Sequence, residues 1–78
     1  MDDERTVPLT QLTPEANAAF TTAVVRDCLA KEIPPNAELK NRFTETANGD
    51  LRIRTFMGET QVSEVIVEKT QWQEVKVQ

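Results

Sequence analysis

The sequence predicts an α+β fold, with one N-terminal helix (about 14–33) packed on a three- to four-stranded antiparallel meander sheet. Three observations point there. A stretch of helical periodicity opens at Pro14 and is stopped by Pro34 and Pro35, the apolar period then changes to two, and both glycines fall between alternating runs. Residues 1–12 are expected to be a mobile or extended N-terminal segment, and residues 13–78 a single small domain.

Met1–Arg5 is a charged leader with nothing to bury, and Val7–Leu12 suits a short strand or an extended lead-in. The helix follows. Thr13 caps it, Pro14 fits its first position because the missing N–H is unsatisfied there in any case, and Glu15 complements the positive end of the dipole. It should end by Glu32 or Ile33, because a proline disfavours the α conformation in the residue before it. At 100° per residue Phe20, Val24, Val25, Cys28, Leu29 and Ile33 share one broad side, the one expected to be buried. Ala16, Ala19, Ala23, Asp27 and Ala30 lie opposite, a small and smooth face open to solvent or to a close partner.

Beyond the prolines, Ala37, Leu39 and Phe43 alternate with Glu38, Lys40, Arg42 and Thr44 in a first strand. Leu51, Ile53 and Thr55 alternate with Arg52, Arg54 and Phe56 in a second. Val65, Ile66 and Val67 are consecutive, so the third strand has apolar contact on both faces. Residues paired on one face of a hairpin keep a constant sum, which selects a register. A loop Asn48-Gly49-Asp50 pairs Phe43 with Thr55 and Arg42 with Phe56; a loop Gly58-Glu59-Thr60 pairs Ile53 with Val65, Arg54 with Glu64 and Phe56 with Val62. The tail, through Val75 and Val77, is expected as a fourth strand beside the third, with Val65 opposite Val75 and Glu64 opposite Lys76.

Seventy-eight residues, 38% hydrophobic and 28% charged, leave room for one core, which at this size supplies only about 3–5 kcal/mol. The lone Cys28 cannot form an internal disulfide, which points to a reducing, cytoplasmic location. The start is acidic without an apolar targeting region, and no stretch approaches a membrane span, so neither a membrane nor an anchor is expected.

Net charge is −4, and histidine and tyrosine are both missing. The commonest general base and the commonest neutral metal ligand go together. Ser63 is the only serine and has no histidine to activate it; Cys28, among apolar helix neighbours, packs as a small hydrophobe. Neither Asp2-Asp3-Glu4 nor Asn48-Gly49-Asp50 has the alternating ligands of a calcium loop, and no glycine-rich phosphate loop is present. No catalytic residue, cofactor or metal is expected.

Only residues 36–58 are basic, with four bases against three acids. Alternation sends Arg42, Arg52, Arg54 and Phe56 to the outer sheet face, joined by Val62, Ile66 and the nearby Trp72 as an apolar strip rimmed by arginine, a composition enriched at protein interfaces. The expected function is therefore a small non-enzymatic module binding a protein, or a second copy of itself, through the sheet face opposite the helix or through an edge strand. Adaptors, accessory subunits and small regulators or inhibitors, phage-encoded ones included, fit that description. The alternative is single-stranded nucleic acid held by Arg42, Arg52, Arg54 and Phe56, phosphates by charge and bases by stacking. The acidic chain as a whole disfavours it.

Overall fold

A computed structural model describes residues 4–76; the first three residues of the leader and Val77 lie outside them. The helix α1 (Pro14–Ala30) starts where its cap predicts: the Thr13 hydroxyl oxygen accepts from the Ala16 N–H at 3.2 Å. It ends two or three residues earlier than expected. Lys31 is the C-cap, Glu32 takes φ 56°, and the N–H groups of Glu32 and Ile33 return to the carbonyls of Leu29 and Cys28. This closes a Schellman motif in which an acidic residue stands where glycine is usual.

Three strands form the expected meander, β3 (Lys40–Glu45), β4 (Leu51–Met57) and β5 (Thr60–Val67), all antiparallel. The first hairpin closes around a longer connection than Asn48-Gly49-Asp50. Thr46 N–H donates to the Asp50 carbonyl at 2.8 Å and its hydroxyl accepts from the Asp50 N–H, so Phe43 pairs with Ile53 and Arg42 with Arg54. The shift is two residues, so each side chain keeps its face. In the second hairpin Ile53 pairs with Val65 and Arg54 with Glu64 as predicted, but a bulge beside Thr55 and Phe56 sets Phe56 against Gln61 and leaves Val62 out of the pairing.

The fourth strand of this sheet comes from the other end of the chain. A short β1 (Arg5–Thr6) pairs with β3, giving the order β1-β3-β4-β5. The tail instead turns through a 3₁₀ helix at Lys69–Gln71 into β6 (Trp72–Glu74), which pairs with β2 (Thr10–Leu12) in a separate two-stranded ribbon. The expected pairing of Val65 with Val75 is thus replaced by Thr10 with Glu74 and Leu12 with Trp72. Apolar burial accounts for the choice. Beside β5 the indole would have faced outward, whereas in the ribbon it packs against the core of Val7, Leu51, Ile53 and Val67.

The helix lies over β5 and touches β2. Its inward stripe differs from the predicted one: Ala16 and Phe20 pack against the core and Asp27 meets Ser63, while Val25 and Leu29 remain exposed, Leu29 at 73%. Phe20 and Asp27, separated by seven residues, lie about 20° apart on the helix. The large apolar residues are spread too widely around the helix for one strand to cover, so none is fully buried, and Phe20, Val24 and Cys28 are only half-buried.

Candidate interaction surface

On the outer sheet face Arg52 and Arg54 sit where alternation sends them, and Glu4 sits between them. Its carboxylate forms ion pairs with Arg52 Nη1 and, at 3.5 Å, Arg54 Nη2, and accepts from the Thr44 hydroxyl at 2.5 Å. The Glu4 side chain is only 10% exposed, those of Arg54 and Arg52 22% and 29%. Arg54 Nε also lies 3.4 Å from Glu64. The Arg42 guanidinium stands 5.3 Å from the centroid of the Phe56 ring, within cation–π range. The predicted basic patch is thus largely neutralised by the chain's own carboxylates.

Two residues assigned to the apolar strip are elsewhere. Val62, extruded by the bulge, is buried, and Trp72 packs on the core with its indole N–H donating to the Gly49 carbonyl at 3.1 Å. Ile66 stays on the outer face opposite Arg52 and is 48% exposed. The structure therefore brings together Arg42, Arg52, Arg54, Phe56 and Ile66, and separates Val62 and Trp72 from them.

The two edges of the sheet are unequal. One ends in the two-residue β1; the other is β5, eight residues long and, among the described residues, unpaired along its outer side. A long unpaired edge exposes a row of backbone donors and acceptors that can accept another strand. Beside it, α1 and β5 bound an open groove of about 250 Å³. Ala16 and Ala19 form its helix wall and Val65 and Val67 lie along its strand side, with Glu15 and Glu68 at the rim. The consecutive Val65-Ile66-Val67 and the run of helix alanines are the sequence signals for this groove. They lie on separate elements, and only the packing of α1 over the edge strand joins them.

Ser63 has a structural partner on the helix. The Ser63 hydroxyl donates to Asp27 Oδ2 at 2.7 Å, tying α1 to β5, and this bond, helped by Arg26, holds the Asp27 carboxyl below its ordinary range. Cys28 is a free, half-buried thiol. Among the described residues no group of three histidine, cysteine or acidic side chains is placed to hold a metal ion, and no helix is long and apolar enough to cross a membrane. Arg5 links β1 to both the sheet and the ribbon through Glu45 at 2.7 Å and Glu74 at 3.0 Å, contacts that raise its already high pKa, the bond to Glu74 first. Compared with known proteins, the chain matches no family model, no curated protein and no solved structure.

Proposed function

We propose that this chain is a non-enzymatic protein-binding module that receives an extended segment of its partner along β5. The observation carrying this reading is the eight-residue edge of β5, unpaired among the described residues and set beside an apolar groove. Backbone hydrogen bonds would supply affinity there, and the two sides of the strand would supply selectivity: Val65 and Val67 toward the helix, Ile66 and its arginine neighbours on the other face. The placement of Glu4 between Arg52 and Arg54 favours this reading over nucleic acid, since a polyanion would have to displace a carboxylate already paired with both.

Chemical-shift mapping of the labelled protein with peptides selected from a displayed random library tests the reading. Perturbed amides should cluster at residues 62–68 and 15–20. Perturbations centred on Arg42, Arg54 and Phe56, or steep loss of binding with salt to single-stranded nucleic acid, would instead assign the function to the outer face.

A further inference from the structure

We infer that the occupant of the β5 groove is a single extended segment with apolar residues at alternate positions and basic residues flanking them, contributed by another protein rather than by a second copy of this chain. This rests on the reading of β5 as the docking edge. Charge indicates the chemistry of the segment. Glu15 and Glu68 stand at the groove rim, neither forms an ion pair among the described residues, and no lysine or arginine lines the groove. Glu64, farther along the same strand, adds a third carboxylate, held among the described residues by Arg54 at 3.4 Å. An incoming acidic strand would meet like charge along this edge, whereas lysine or arginine at the ends of the segment would meet unpaired carboxylates.

Between the charges the groove asks for apolar side chains of modest size. Ala16 and Ala19 leave space above the edge of β5, and a strand laid beside Val65 and Val67 would direct every second side chain beneath α1. The other face of that strand would lie beside the exposed Ile66.

Steric spacing argues against a second copy. Antiparallel pairing of β5 with its two-fold mate would place the strands about 4.8 Å apart. In each copy α1 lies over β5 and both helices would fall on the same sheet face, so their axes would approach to about one strand spacing. Packed helices need about 8–10 Å. A lone strand carries no helix and meets no such conflict.

The test is selection of displayed random decapeptides on the intact protein, followed by binding measurements on the enriched sequences. The expected result is a net positive consensus with alternating apolar residues. Its affinity should fall about fivefold in the Glu15→Gln, Glu68→Gln double variant and be lost in Ala19→Phe, whose ring fills the groove from an exposed helix position and should leave the circular dichroism spectrum unchanged. Enriched peptides that lack basic residues and ignore the double variant, yet are lost in Ala19→Phe, would overturn the charge inference and leave docking at β5 standing. Peptides indifferent to Ala19→Phe, or no enrichment at all, would overturn both. Sedimentation should give the monomer mass of 8.8 kDa; a dimer dissociated by Ala19→Phe would identify a second copy as the occupant and sink the proposal.

Discussion

Glu4 and Arg52 form an ion pair across the outer face of the sheet, joining the N-terminal segment to the central strand β4. The same carboxylate reaches Arg54 and Thr44, so one negative charge is shared between two guanidinium groups on the same strand face. Arg54 is also directly opposite Arg42 on β3. Three cations are crowded on adjacent strands, and Glu4 and Glu64 make that arrangement tolerable.

Replacing Glu4 by Gln removes the charge while keeping the shape. Because the Glu4 side chain is largely covered, the loss should be about 1–2 kcal/mol, above the level of an exposed pair. Repulsion among the remaining arginines is screened by salt, so the deficit should shrink at high ionic strength. Urea unfolding at low and high salt measures both effects. An unchanged midpoint at low salt would show that the contact carries no stability.

Where the sequence was legible, a local rule and the tertiary environment agreed. Thr13, Pro14 and Glu15 predicted the helix start, and the core pairing of Ile53 with Val65 followed from parity. The failures each have a competing cause. Val62 left the strip because a bulge has no marker in the residues that form it. Trp72 left it because an indole gains more from the core than from an outer face, a preference that depends on tertiary contacts supplied by β2. Glu4 looked like part of a solvated acidic leader because its arginine partners lie 48 and 50 residues away in sequence. The helix stop was misplaced because the residue in the left-handed conformation is glutamate rather than glycine.

That last feature yields a stabilising substitution. Glu32 holds φ 56°, a region in which a side chain is penalised, and its charge lies at the negative end of the helix dipole. Glu32→Gly removes both costs against a higher entropy of the unfolded chain and should stabilise the protein by about 0.5–1 kcal/mol. Glu32→Gln relieves only the charge and should gain less. Thermal unfolding of the pair separates backbone strain from electrostatics; equal midpoints for Gly and Gln would assign the whole effect to charge.

Asp27 makes stability depend on pH with a definite sign. Its carboxyl titrates below its ordinary value near 3.8, first because the Ser63 hydroxyl donates to it and then because of Arg26. A group whose folded pKa is depressed stabilises the fold above the unfolded value, and that contribution disappears as pH falls through the folded one. Ser63→Ala should therefore be less stable than the parent at about pH 7, with the gap narrowing below about pH 3.8. Denaturant curves across that range decide it. A gap constant with pH would mean that lost packing at the buried Ser63 position, rather than the ionised Asp27, carries the effect.

The hydrogen bond from the Trp72 indole to the Gly49 carbonyl ties the ribbon to the first hairpin turn. Gly49 itself requires φ 89°, so the turn that presents this carbonyl depends on a backbone conformation that a side chain would strain. Trp72→Phe keeps an aromatic ring against the core and deletes the donor, for an expected cost of about 1 kcal/mol. The location of the damage is the sharper expectation. Because among the described residues β6 pairs only with the three-residue β2, the amides of Gln11 and Gln73 should exchange faster in the variant, whereas those of Ile53 and Val65, inside the meander, should keep their protection relative to global unfolding. Uniform acceleration across all four would mean that ribbon and sheet unfold as one cooperative unit and that the indole contact supports both.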